Sequence, residues 1–469
     1  MKKYLPPAVL AVASAISHFI FFGYPAQVVF DEVHNLNFLA NYARGTYFFD
    51  VHPPLAKLLT FGFGQLFGTT FDIDASLIGN ALPPSVILLR LVPLIAGFLL
   101  PLVIYALCRN FRMSQATAFL AGLLVILDNS LLVQSSFIMF DSLLLLCGFA
   151  ALMCYGLYAG GGHKAYLVAA AVLAAGAFSI KWTGASFVLL ICIFEFSRHY
   201  RTLTHPQRLF QAVRASVPAI ALCAATTLVI YSALFAIHFR LLSYSGDGDV
   251  FMSPEFQKTL IFNQYNDDAS LLNPGFTDKF IELNYKMLDA NVYRMPSHPY
   301  SSAWYTWPIM QRPIYYWQDQ YSEGVGVRES LKRRIYLIGN PAVYWLGIVS
   351  VLLIILHSIF RRRSPSVADQ DGVISLGTFI ALGFLVNFLP FTMIGRIMFL
   401  YHYQAALVFS IMAIAYIVDK FFLGRSRLVV TGAIAVVVLV SFLYFSPLTY
   451  GTSMSIKSHE GRAWFESWI

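Results

Sequence analysis

Charged side chains are scarce in this chain. Only 12% of its 469 residues are Asp, Glu, Lys or Arg, while 58% are hydrophobic. A soluble globular domain carries about 25% charge and under half apolar residues, so most of this chain must face lipid or other lipid-facing helices. Cysteine is sparse too. All five (Cys108, Cys147, Cys154, Cys192 and Cys223) fall in apolar runs. Neither a disulfide framework nor a metal-ligand spacing can be built from them, and they read as packing residues. Internal repeats and low-complexity tracts are missing, which speaks against the many transporters built from inverted repeats. The formal net charge of +8 does not point to nucleic acid. The basic residues gather in short loops beside apolar runs, as topology signals do.

Long apolar runs, in contrast, are plentiful. A span takes about 20 residues. Runs of that kind lie at 5–23, 84–107, 114–130, 133–153, 165–180, 183–197, 215–237, 341–358, 373–391, 397–418 and 428–445, the fifth and sixth of them short. The expected fold class is an all-α polytopic membrane protein of about eleven spans. Lys2 and Lys3 ahead of an apolar stretch containing Ala13-Ser14-Ala15 resemble a signal peptide. The apolar character runs on to Phe22, however, and the segment reads as an uncleaved first span. With Lys2 and Lys3 in the cytoplasm, alternation places Arg109/Arg112, Lys164, Arg198/Arg201/Arg208/Arg214, Arg361–Arg363 and Lys420/Arg425/Arg427 on the same side, as the positive-inside rule requires. Two large segments, 24–82 and 238–340, then fall outside. Both are rich in Asp, Glu, His, Tyr and Trp, so the polar chemistry is expected on the outer face.

The first outer segment reads Phe30-Asp31-Glu32-Val33-His34, then Tyr47-Phe48-Phe49-Asp50-Val51-His52-Pro53-Pro54-Leu55-Ala56-Lys57. Adjacent carboxylates on a helix point about 100° apart, so one can face a substrate while a partner holds the other. A glycosyl transfer with inversion needs one base to take the proton of the attacking hydroxyl, and a like-charged neighbour raises the pair's affinity for that proton. From spacing alone, an acidic pair marking the end of a span explains the motif equally well.

The two stretches together resemble the first-loop signature of the protein O-mannosyltransferases, a family of the GT-C superfamily. Other blocks follow in the family's order. They are Ala177-Phe178-Ser179-Ile180-Lys181-Trp182-Thr183-Gly184, then His238 to Gln257 with Ser245-Gly246-Asp247-Gly248-Asp249, and His298-Pro299-Tyr300 with Trp304 and Trp307-Pro308. Tyr336 to Pro341, Gly395-Arg396-Ile397 to Tyr403 and Phe445 to Gly451 complete the series. There are two departures. Eukaryotic members carry a β-trefoil MIR domain in the large outer loop, whereas here Gln257 and Glu282 are joined by too short a segment to hold one. And where the family has Gln-Ser-Arg, this chain has Gln134-Ser135-Ser136, with Asp141 kept.

The resemblance implies a single GT-C transferase domain over 1–469 without a MIR domain. Its reaction is transfer of a mannosyl or similar residue from a polyprenyl-phosphate carrier to Ser/Thr hydroxyls of exported proteins. In that scheme Asp31 is the base and Glu32 orients its neighbour or the acceptor. The phosphate calls for cations near the outer surface, and Arg396 and Lys181 are the candidates, although interfacial residues also snorkel to headgroups. Arg90, deeper in the second span, is a third candidate. A charge there needs a partner, and Asp141 is the acid considered for it. His52, Asp141, His298, Trp304 and His402 are candidate cavity residues, the aromatic rings serving equally as an interfacial belt. No cofactor is compelled and a divalent metal is optional. The expected partners are the lipid-linked sugar, an acceptor protein and membrane lipid, not nucleic acid. The lack of a MIR domain points to bacterial members, hence an inner (plasma) membrane with a cytoplasmic N-terminus, an extracytoplasmic site and an undecaprenyl-type carrier. The alternatives are a GT-C enzyme acting on a lipid headgroup and a flippase of polyprenyl-linked sugars.

Overall fold

The computed structural model describes residues 4–73, 75–202, 208–292, 298–319, 331–361 and 375–468. The expected basic turns around Arg201, Arg208 and Arg361–Arg363 fall at or beyond the edges of these stretches. Each of the eleven apolar runs holds a helix. Among the described residues seven helices are long and apolar enough to cross a membrane: Pro84–Asn110, Asp141–Ala159, Leu209–Leu241, Pro341–Phe360, Leu376–Met393, Leu400–Phe421 and Gly424–Tyr450. An eighth arises if Gln115–Ile126 and Asn129–Ser136, bent by 55°, form one span, while Leu5–Phe19 and Ala165–Ile180 are shorter. Helix length and composition alone thus pick out fewer spans than the eleven runs.

The bend has an identifiable cause. Asp128 is fully buried, and its Oδ1 accepts from Ser130 N, Leu131 N and Ser130 Oγ at 3.0, 3.0 and 2.6 Å. Its Oδ2 accepts from Asn340 N at 3.1 Å. A carboxylate in apolar surroundings persists when its lone pairs are occupied in this way, and as an N-cap it starts a new helix where the previous one stops. The expected run 133–153 is broken as well. Residues 137–140 are not helical, and the next long helix begins at Asp141.

Outside the spans, segment 24–82 forms two amphipathic helices, Glu32–Arg44 and Leu55–Leu66. Between them the chain is pinned to segment 238–340. Tyr47 N donates to Tyr244 O at 2.8 Å, and Gly248 N donates to Tyr47 O at 3.2 Å. The glycines of Ser245-Gly246-Asp247-Gly248-Asp249 allow this approach. A Cβ on Gly246 would meet Tyr47 O at 2.3 Å, and one on Gly248 would meet the Phe48 carbonyl carbon at 2.5 Å. Asp249 closes the turn by accepting from Gly246 N and Asn263 Nδ2 at 3.1 and 2.7 Å.

Segment 238–340 also supplies the helix Phe276–Val292 and a strand, Ile314–Gln318, antiparallel to Arg334–Leu337. That strand props up the start of the acidic motif. Phe30 N donates to Tyr316 O at 3.2 Å, and the two rings stack with centroids 4.7 Å apart. Phe30 itself sits at φ +37°, a conformation that a bulky side chain keeps only when its surroundings enforce it. The residue just before Asp31 is therefore held by packing on both its backbone and its ring.

Candidate active site

Adjacency in the chain sends Asp31 and Glu32 to different environments. Glu32 is fully buried, and every direction around its carboxylate is used. Arg90 binds it with both arms, Nε to Oε1 at 2.8 Å and Nη2 to Oε2 at 2.7 Å. Val29 N and Ile138 N add bonds at 3.0 and 2.9 Å. Arg90, also fully buried, donates further to Pro25 O and Gln27 O at 2.6 and 2.7 Å. A bidentate pair satisfied by backbone on both sides is a structural tie. It joins segment 24–82, the helix Pro84–Asn110 and the turn after Ser136. This corrects the expectation for Arg90: its acidic partner is Glu32 rather than Asp141, and its donors are directed at Glu32 and at carbonyls, not toward a surface that a donor phosphate can reach.

Asp31, by contrast, has no hydrogen bond or ion pair to its carboxylate among the described residues. Burial pushes its carboxyl up to about 6, and repulsion from Asp141 adds to this, against the opposing pull of His34, Lys181 and Arg396. That places it where a base at neutral pH works best.

Three of the four cations nearby are already paired. Lys57, almost fully buried, is bound to Asp50 and also donates to His52 O and Pro53 O at 3.0 and 3.2 Å. Arg90 has Glu32, and Lys181 pairs with Asp141 at 2.7 Å. Gln134 Nε2 donates to the other Asp141 oxygen at 2.6 Å. Gln134 and Lys181 are thus the groups holding Asp141 in a chain whose position 136 is serine. Arg396 differs. Among the described residues it has no carboxylate partner, only Asn291 Oδ1 at 2.8 Å and a long contact to Ile397 O at 3.4 Å. His52 lies among Lys181, Arg396, Lys57 and His402, and burial, with the charges of Lys181, Arg396 and Lys57 around it, holds its imidazole well below the usual range. It is neutral at ordinary pH.

Next to this cluster lies a cavity of about 260 Å³ lined by Asp141, Lys181 and His402 together with Leu144, Leu189 and Phe391. Its walls are mostly apolar, with the Lys181–Asp141 pair and a histidine among them, a lining suited to a ligand with a charged head and a hydrocarbon body. The structure therefore brings together Asp31, His52, Asp141, Lys181, Arg396 and His402. His298 stands one ring away, edge-on to Phe399 at 5.1 Å, and Phe399 in turn meets Phe30 at 6.0 Å. Trp304 is not brought in. It packs edge-on against Phe388 at 5.0 Å, outside the cavity lining. Sequence reasoning missed Asn291 and Gln134. Gln134 stood in the segment noted as departing from the family's Gln-Ser-Arg, whereas an asparagine on an amphipathic helix carries no signal of its own. Among the described residues no three His, Cys, Asp or Glu side chains are grouped to hold a metal.

Fold and site together define a polytopic membrane protein with a charged centre opening beside an apolar cavity. Residues 8–243 match the family described as dolichyl-phosphate-mannose-protein mannosyltransferase. Residues 276–468 match the C-terminal four TMM region of protein-O-mannosyltransferase. The chain belongs to the protein O-mannosyltransferase family. It is 32% identical over 274 residues to dolichyl-phosphate-mannose–protein mannosyltransferase 1 of Saccharomyces cerevisiae, a match covering 56% of this chain and 33% of the relative. The match to protein O-mannosyltransferase 1 of Drosophila pseudoobscura covers 27% of that relative, so the chain spans a third or less of these proteins. The polyprenol-phosphate-mannose–protein mannosyltransferase of Corynebacterium glutamicum is 27% identical over 457 residues, 89% of this chain and 81% of the relative. In fold, the chain is similar to the S. cerevisiae Pmt1-Pmt2 complex bound to the sugar donor, with TM-score 0.87 and 21% identity over 100% of this chain and 93% of that one.

Proposed function

We propose that the chain transfers a mannosyl residue from a polyprenyl-phosphate carrier to a serine or threonine hydroxyl of a protein, by one displacement with inversion. The observation that carries this reading is the contrast at the centre, where among the described residues Asp31 has no partner on its carboxylate and Arg396, whose charge acts on it, has no carboxylate partner. As the acceptor oxygen bonds to the anomeric carbon, the bond from that carbon to the phosphate oxygen breaks. Asp31 takes the hydroxyl proton, and the polyprenyl phosphate leaves with its negative charge facing Arg396, with Lys181 nearby. A phosphate is a competent leaving group, so no general acid is required. The apolar cavity lined by Leu144, Leu189 and Phe391 suits part of the polyprenyl chain. The yeast and Corynebacterium relatives, named as dolichyl-phosphate-mannose– and polyprenol-phosphate-mannose–protein mannosyltransferases, support the same donor.

The likeness to the Corynebacterium relative over 89% of the chain supports a location in a bacterial inner membrane, and the short basic loops support a cytoplasmic N-terminus with the site outside. Reporter fusions after residues 60 and 290 should read the outer compartment, and those after 205 and 362 the cytoplasm. The reaction is tested by incubating the purified enzyme with polyprenyl-phosphate-mannose and a Ser/Thr peptide, followed by mass spectrometry. A hexose on a hydroxyl is the expected product. Sugar on lipid only, or donor moved across vesicles without transfer, would overturn the reading.

A further inference from the structure

Arg396 is half-buried and has no carboxylate partner among the described residues, and an arginine side chain loses much rotamer entropy when fixed. Something has to aim it. Its well-formed side-chain bond among the described residues is to Asn291 Oδ1, at 2.8 Å. Asn291 belongs to the amphipathic helix Phe276–Val292, far from Arg396 in the chain. Its amide is itself fixed in direction. Nδ2 donates to Met287 O, one turn back, at 2.8 Å, and to Val51 O at 3.3 Å. With the amino side committed to two carbonyls, the amide oxygen has one way to face, and it faces Arg396. Val51 immediately precedes His52, so one side chain ties the outer helix, the His52 turn and the guanidinium together. A neutral acceptor is the apt choice here. A carboxylate would bind Arg396 more tightly but would cancel the charge that a phosphate requires, as Asp50, Glu32 and Asp141 do for the other three cations.

We infer that Asn291 is a positioning residue that orients Arg396 toward the donor phosphate without neutralising it. The inference rests on the donor-binding role proposed above for Arg396. The test is a double-mutant cycle on the full-length enzyme in nanodiscs, reading KM for polyprenyl-phosphate-mannose, kcat, and Kd for polyprenyl phosphate, with thermal unfolding as a check on folding. N291A should raise donor KM and the polyprenyl phosphate Kd roughly tenfold, with kcat changed less. In an R396A background the same substitution should have no further effect on either. N291D, which keeps shape and acceptor but adds charge, should weaken donor binding at least as much as N291A. If the effects of N291A and R396A multiply, if N291A alone leaves donor binding intact, or if N291D binds donor normally, the positioning role is wrong while the Arg396 reading stands. If R396A itself leaves donor binding intact, the reading beneath it fails and this inference fails with it.

Discussion

Asp31 and Glu32 are neighbours in sequence, and they divide the site between them. Around Glu32 every polar atom is answered: two guanidinium bonds and two backbone N–H groups meet one carboxylate that has no exposure to solvent. Around Asp31 the carboxylate is unanswered among the described residues, and burial and Asp141 raise its proton affinity. The same split separates the cations, with Arg90 sealed against Glu32 and Arg396 held by a neutral amide. A satisfied buried pair gives rigidity and fixes a geometry. In the function proposed above, the acid and the cation left without such partners supply the reactivity, and the rigid pair holds them in place.

The largest expected effect comes from breaking the rigid side. Arg90→Ala leaves Glu32 as an uncompensated buried charge, a loss of about 3–5 kcal/mol. It should appear as a collapse in the yield and thermal stability of folded enzyme rather than as a change in donor affinity. Arg396→Ala should do the opposite. Thermal stability should hold while donor KM rises about 10- to 100-fold, the range for losing charge-assisted hydrogen bonds.

Titration sharpens the comparison further. With the Asp31 carboxyl near 6, the base form is present above that pH. Then kcat/KM should fall about tenfold per unit as pH drops below 6 and should flatten above it, and Asp31→Asn should remove this limb. The smallest effect is on stability. Because the folded-state value lies above the unfolded 3.8, ionising Asp31 disfavours the folded state. That cost is absent below about pH 4, grows between there and 6, and is complete above. Asp31→Asn should therefore match or slightly exceed the native melting temperature at pH 7, with the difference vanishing near pH 4.

Much of this was legible in the sequence. The apolar runs located the helices, and Asp31, His52, Lys181, Arg396 and His402 lie in one cluster, while Glu32 turns away into its pair with Arg90. What could not be read was the partnering. Arg90 lies 58 residues from Glu32 and was open to pairing with any acid at its depth, so Asp141 was an equally reasonable choice until packing decided. The break at Asp128 was hidden because an acid inside an apolar run looks the same whether it is functional or an N-cap. Its hydrogen bonds to Ser130, Leu131 and Asn340 make it the latter. Asn291 left no trace, since its role depends on a contact 105 residues away.

The central claim is that the free carboxylate does the chemistry and the tied one does the holding. The direct measurement is turnover per folded molecule for Asp31→Asn and Glu32→Gln, each beside its melting curve, with polyprenyl-phosphate-mannose and a Ser/Thr peptide. Loss of a general base costs about 10²–10⁴-fold. Asp31→Asn should show that loss with its melting temperature kept, and Glu32→Gln should melt earlier yet retain more turnover per folded molecule. Near-normal turnover in Asp31→Asn, together with an inactive but fully stable Glu32→Gln, would contradict the account.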